Sequence, residues 1–138
     1  MRIETSISIE APPPRVWDVL VDVERWHEWT RSISGITRLD DGDFRVGSRV
    51  RIKQPRFPPA FWRVTRLEAP AYMEWQAAAP LSRVIAGHRI EPEGSGSRVT
   101  LHIEQTGLMG FVGRYFANVS RAYVRMEAEG LKRRSEGG

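Results

Sequence analysis

The sequence predicts an α+β fold: a curved antiparallel sheet of about seven strands, two short helices after the first strand, and a long helix across the concave face. Three observations lead there. Between Leu108 and Arg134, the residues Leu108, Phe111, Val112, Tyr115, Phe116, Val119, Ala122, Tyr123 and Met126 fall within one arc of roughly 140° at 100° per residue. Arg114, Arg121 and Arg125 lie opposite, so this is a long amphipathic helix that needs an apolar surface to lie on. From Ile33 to Ile103 the chain alternates apolar and polar residues between turn signals, which is the pattern of strands joined by short connections. A further alternating segment at the N-terminus is set apart from those strands by helical text.

Taken in order, Ile3, Thr5, Ile7 and Ile9 share one face of a first strand over residues 2–10, with Arg2, Glu4, Ser6, Ser8 and Glu10 on the other. Ala11-Pro12-Pro13-Pro14 ends it, because proline donates no ladder bond yet suits a first helical turn. A short helix follows with Val16, Leu20 and Val23 on its stripe and Trp17 at the flank. Asp22 stands where it can cap a second short segment, on which Trp26 and Trp29 share a side.

The strands then run Ile33–Leu39, Arg49–Gln54, Phe61–Glu68, Tyr72–Ala78, Arg83–Glu91 and a last one bearing Val99, Leu101 and Ile103. Asp40-Asp41-Gly42-Asp43, the proline-rich Gln54–Pro59 and Gly94-Ser95-Gly96-Ser97 separate them. Trp62 and Val64 share one face while Phe61 and Leu67 share the other, which calls for a bulge near Thr65. Six strands joined in sequence make a meander, and the first strand completes the sheet beside the last. The result is a helix-grip, read as one domain over residues 1–134 with a disordered tail at 135–138.

Composition narrows the function. With 41% hydrophobic and 28% charged residues over 138, the chain has an ordinary globular make-up and no run long enough to span a membrane. The N-terminal text MRIETSISIE lacks the apolar core of a signal peptide. Zero cysteines exclude disulfides, thiolate metal sites and cysteine nucleophiles, and together these features lead us to expect a cytoplasmic protein. The net charge of +4 comes from scattered arginines, with Lys132-Arg133-Arg134 the basic run, so no nucleic-acid partner is expected.

At this level of detail the residues resemble a known family. Ile9-Glu10-Ala11-Pro12 followed by Val16-Trp17, then Asp22-Val23-Glu24-Arg25-Trp26-His27-Glu28-Trp29, is similar to the SRPBCC superfamily of START and Bet v 1-like proteins. Within it the chain resembles the polyketide cyclase/dehydrase type. Trp62-Arg63-Val64-Thr65, Ile90-Glu91-Pro92 and Gly96-Ser97-Arg98-Val99-Thr100 fit the same pattern, over essentially the whole chain. The resemblance implies a deep cavity between sheet and helix, but no single reaction. The superfamily includes lipid carriers, hormone receptors, aromatase/cyclases, oxygenase subunits and chaperone activators. The three histidines, none in a His-x4-His arrangement, do not reproduce the oxygenase subunits' metal ligands, so no metal and no cofactor is expected.

His88 is the leading candidate for chemistry. It shares its strand face with Ala86 and Ile90, and imidazole transfers protons near neutral pH. Tyr115 and Tyr123 of the helix stripe carry hydroxyls that bind or protonate a ligand oxygen if they face a cavity. Together His88, Tyr115 and Tyr123 form the candidate catalytic set, and a cavity-facing His88 is expected to stand opposite Tyr115 or Tyr123 of the facing helix. The candidate ligand-binding surface adds Trp29, Val50, Ile52, Trp62, Met73, Trp75 and Ile90 from the sheet side, and Phe111, Phe116 and Val119 from the helix. His27, His102, Glu74 and Glu104 fall on faces assigned to solvent.

Three functions follow: binding of an apolar or aromatic, lipid- or polyketide-like molecule; a polyketide cyclase/dehydratase-type enzyme using the same cavity; or an interaction or chaperone-activator-like module. The expected partner is a hydrophobic small molecule, and the expected assembly a monomer or homodimer.

Overall fold

A computed structural model describes residues 1–79, 82–107 and 112–137. The chain runs β1 (Arg2–Ile9), α1 (Pro13–Val21), a 3₁₀ turn (Val23–Glu28), β2 (Gly35–Arg38), β3 (Arg49–Lys53), β4 (Ala60–Glu68), β5 (Tyr72–Ala79), β6 (Ser82–Glu93), β7 (Gly96–Gly107) and α2 (Val112–Ser135). The strands form one seven-stranded sheet in the order β1-β7-β6-β5-β4-β3-β2, antiparallel throughout. This is the expected helix-grip, with β1 closing the sheet beside β7 through the register Ile3↔Ile103 to Ile9↔Ser97.

Local chemistry accounts for the joints. Pro13 opens α1 and Pro12 before it is extended. Asp22 does occupy the N-cap position of the 3₁₀ turn, but its carboxylate makes no capping bond and pairs instead with Arg25 at 3.2 Å. The register of β4 slips between Val64 and Arg66. That bulge at Thr65 returns Leu67, opposite Met73, to the face of Val64, where it packs against the core. β2 is shorter than its apolar pattern because Ile33 is buried in a turn, its N–H donating to Thr30.

One half of the concave face is packed solid. Val16, Leu20, Val23, Trp26 and Trp29 from the short helices meet Val50, Met73, Ile90 and Val99 from the sheet, with Ala128 and Leu131 of α2 above them. The C-terminal half of α2 is also tied down by polar contacts. Arg134 donates to Glu28 at 2.6 Å, Lys132 to the Ser8 carbonyl at 3.0 Å, and Glu136 accepts the Glu10 N–H at 2.7 Å. Ser135 is therefore helical and buried, and Glu136 is held, where a loose tail from residue 135 was expected.

The helix also sits differently about its axis. Val112, Tyr115 and Met126, expected to point inward, are 47%, 49% and 41% exposed. Ser120, Val124, Ala128 and Leu131 are buried instead, together with Tyr123 of the expected stripe, while Phe116 and Val119 are half-buried. The inward face is thus turned roughly 120° from the centre of the most apolar arc. At the C-terminal half Gly130 lies directly on Trp29, while Ala128 and Leu131 pack into the core. Leu108 and Phe111, the expected start of the helix stripe, lie outside the described residues.

Candidate functional site

Beyond the packed half, the N-terminal half of α2 stands off the sheet and a cavity of about 570 Å3 opens between them. The dividing line runs across the strands. On β5, Met73 lies wholly in the core while Trp75 and Ala77 also line the cavity; on β6, Ile90 lies wholly in the core while His88, Ala86 and Val84 line the cavity; on β7, Val99 lies wholly in the core while Leu101 and Ile103 line the cavity. Side chains two residues apart on one face thus serve different ends, according to whether the short helices reach over them.

Of the expected site residues, Ile52, Trp62, Trp75, His88, Tyr115, Phe116 and Tyr123 line this cavity. Trp29, Val50, Met73 and Ile90 do not; they are buried in the packed half. Val119 is half-buried on the flank of α2 and does not line the cavity either. Phe111 lies outside the described residues.

The aromatic rings are continuous. Trp62 lies 5.8 Å from Trp75, Trp75 lies 5.2 Å from Trp26, and Trp26 lies 5.4 Å from Trp29, in tilted arrangements. At the other end, the Gln54–Pro59 loop covers the opening. Phe57 stacks on Phe116 at 5.4 Å and meets Tyr123 edge-on at 5.7 Å. Lys53 holds the loop's shape by donating to the Gln54 and Phe57 carbonyls.

This loop also claims the two tyrosine hydroxyls. Tyr123 accepts the Arg56 N–H at 3.0 Å, and Tyr115 donates to the Arg56 carbonyl at 3.3 Å. The expected pairing of His88 with a helix tyrosine is therefore replaced. The helix residue beside His88 is Glu127, whose Oε2 lies 3.4 Å from Nε2. On the other side of the ring, Nδ1 lies 3.0 Å from the Met73 carbonyl oxygen. A carbonyl only accepts, so Nδ1 carries hydrogen and Nε2 is turned toward the carboxylate. Trp26 and Trp75 present ring edges or faces to the imidazole at 5.7 and 5.9 Å. His88 keeps 3% of its side chain accessible and Glu127 18%, so the pair sits at the dry end of the cavity.

Glu127 escaped the reading of the sequence because the most apolar arc placed it off the buried face. A signal existed. Phe116, Tyr123, Val124 and Leu131 make a second stripe at i, i+7, i+8 and i+15, and Glu127 falls inside it. Trp26 and the loop residues Arg56 and Phe57 were likewise not assigned, since only the tertiary fold brings them to the cavity.

On the convex face, Glu74 accepts from Tyr72 at 2.8 Å and from Thr65 at 3.0 Å. His102, expected in solvent, is half-buried over Gly87; burial first, then Arg2, lowers its pKa below the usual 6.5. Tyr72 lies between the guanidiniums of Arg66 and Arg89, at 4.5 and 4.4 Å from the ring centre. Among the described residues no three His, Asp or Glu side chains converge as metal ligands, and no helix is long and apolar enough to cross a membrane.

An open antiparallel sheet closed around a C-terminal helix, with an apolar cavity left between them, defines the helix-grip class of the START and Bet v 1-like SRPBCC proteins. The chain belongs to the family described as polyketide cyclase / dehydrase and lipid transport, which it matches over residues 1–136. Solved structures agree. The protein TTHA0849 from Thermus thermophilus is 17% identical with a TM-score of 0.81, covering 98% of this chain and 97% of that one. A START superfamily protein from Mycobacterium smegmatis is 13% identical, with a TM-score of 0.81 and the same coverage of 98% and 97%. The di-domain ARO/CYC BexL from the BE-7585A biosynthetic pathway is 17% identical with a TM-score of 0.74, over 96% of this chain and 45% of BexL. At such identities the likeness is one of fold. No curated protein matches the sequence.

Proposed function

We propose that this protein binds an apolar or aromatic small molecule, lipid- or polyketide-like, between the sheet and the N-terminal half of α2. The observation that carries the proposal is the cavity of about 570 Å3 walled by Trp62, Trp75, Leu101, Ile103 and Phe116. Held dry and closed, a void of that size would cost roughly 14 kcal/mol at ~24 cal/mol per Å3, as much as a whole domain's stability. An apolar occupant removes that cost. The family's lipid-transport and cyclase members, and the shared fold of the ARO/CYC BexL, support the same reading.

A second reading, a cyclase or dehydratase acting in the same cavity, is favoured by one observation: an ionisable pair, His88 with Glu127, lies in the otherwise apolar wall.

The test is fluorescence of 8-anilinonaphthalene-1-sulfonate with the parent and with Ala86→Leu. Ala86 sits on the cavity floor between Trp75 and Ile103 in the strand register, so leucine fills the space from within. The variant should bind the dye at least about tenfold more weakly, while its melting temperature holds or rises because a void has been filled. Equal affinity in the two proteins would place binding elsewhere and refute the proposal.

A further inference from the structure

We propose that His88 and Glu127 form a proton-shuttling dyad that enolises a ketone held in the cavity. The proposal rests on the cavity being a ligand site, and it adds a reaction to that site. Both side chains line the cavity, and among the described lining residues they are the two ionisable groups within ion-pair distance of each other, at 3.4 Å. The Met73 carbonyl takes Nδ1–H and fixes the ring orientation, and in the proposed dyad a second ring proton on Nε2 faces the Glu127 carboxylate. An acid and a base thus stand side by side at the inner end of an aromatic-walled pocket.

An ion pair is a poor way to glue α2 to β6 at this depth. Two apolar side chains of the same volume would pack there without the cost of desolvating charge. The surroundings, Trp26 and Trp75, offer the pair no further hydrogen bond. A ligand carbonyl does. With its oxygen on Nε2–H, the carbon next to the carbonyl comes within reach of the Glu127 carboxylate.

The step balances within the site. Glu127 takes a proton from the α-carbon, and the C–H electron pair becomes the C=C bond of the enol. The carbonyl π pair moves to oxygen, which takes the proton from His88 Nε2. Glu127 is then protonated and His88 neutral, and transfer of the proton from carboxyl to Nε2 restores the starting pair. No oxidant, reductant or co-reactant enters. The substrate class is an aromatic-fused or polycyclic ketone with an acidic α-hydrogen, flat enough to lie against Trp62 and Trp75.

The probe is 2-tetralone in D2O, with loss of its C1 methylene signal followed by proton NMR and its binding followed by chemical shifts of the protein. Parent protein should speed the exchange well above the buffer rate. 2-Naphthol, which has the shape of the enol and no exchangeable α-carbon, should return the rate to that of buffer. Glu127→Gln should lower the protein-dependent rate by about 100-fold or more, with tetralone affinity within about fivefold of the parent. His88→Gln should do the same. If a variant does not fold, the parent rate and its suppression by 2-naphthol decide the matter alone. Tetralone bound by the parent but exchanging at the buffer rate would overturn the dyad and leave the ligand site standing. Absence of binding at saturating tetralone, together with no effect of Ala86→Leu on dye binding, would overturn both.

Discussion

Replacing Gly130 by alanine tests how α2 is seated. In an isolated helix the change is favourable by about 1 kcal/mol, because glycine is the poorer helix former. Here a Cβ at position 130 collides with the Trp29 carbonyl oxygen and falls 2.9 Å from Trp29 Cε3 and 3.0 Å from the carbonyl carbon. Carbon atoms in good contact stand about 3.5–4.0 Å apart, so the helix must back away by roughly 0.5–1 Å. Its neighbours Ala128 and Leu131, 3% and 0% exposed, then lose a quarter to a half of their dispersion contacts with the sheet side. The Arg133 bond to the same Trp29 carbonyl, now 3.3 Å, is also disturbed. Overpacking of this kind costs about 1–3 kcal/mol, and with the lost contacts the net should be about 2–4 kcal/mol of destabilisation despite the better helix former. For a domain of this size that lowers the melting temperature by about 8–16 °C, read by circular dichroism. Because Glu127 is carried one turn earlier on the same helix, dye binding in the cavity should weaken too. A melting temperature equal to or above the parent's would refute the close contact.

Two further outcomes concern ionisation. Burial first, and the hydrogen bond to Glu74 second, push the Tyr72 hydroxyl up to about 12, so its ionisation should lag the other tyrosines in an absorbance titration at alkaline pH and vanish in Tyr72→Phe. Since the folded value lies above the usual 10.0, Tyr72 contributes stability in full below pH 10 that is lost as pH rises toward 12; a Tyr72 ionising with the others would contradict its burial and its hydrogen bond to Glu74. At the acid end, the Glu10 N–H and then Lys132 hold the Glu136 carboxyl below its usual 4.5, so its anchoring of α2 to the end of β1 is present above that pH and lost as pH falls through the lower folded value. Melting curves between pH 6 and 3 (the usual carboxylate range) should fall less steeply for Glu136→Gln than for the parent; parallel curves would show that the contact carries nothing.

Much of the architecture was legible in the residues. Alternation located every strand, Pro12–Pro14 marked the start of α1, and the clash of faces around Thr65 located the bulge. These features depend on local backbone geometry, which a short stretch of sequence dictates by itself. The apolar length of the C-terminal helix and the inward face of His88 were legible for the same reason.

What the amino-acid sequence determined alone, then, was the set of elements and which strand face is apolar. Tertiary structure decided how those faces are divided. Whether a residue such as Met73 or Trp75 becomes core or cavity wall depends on how far α1 and the 3₁₀ turn reach along the sheet. The exposure of Tyr115 and the arrival of Glu127 at His88 depend on how α2 is turned about its axis, and at Gly130 that helix meets a tryptophan carbonyl more than 100 residues away in sequence. Helical periodicity reports only which side of a helix is most apolar. Close packing responds to shape, so the face with Ser120, Val124, Ala128 and Leu131 went inward, and the flank with Val112, Tyr115 and Met126 did not.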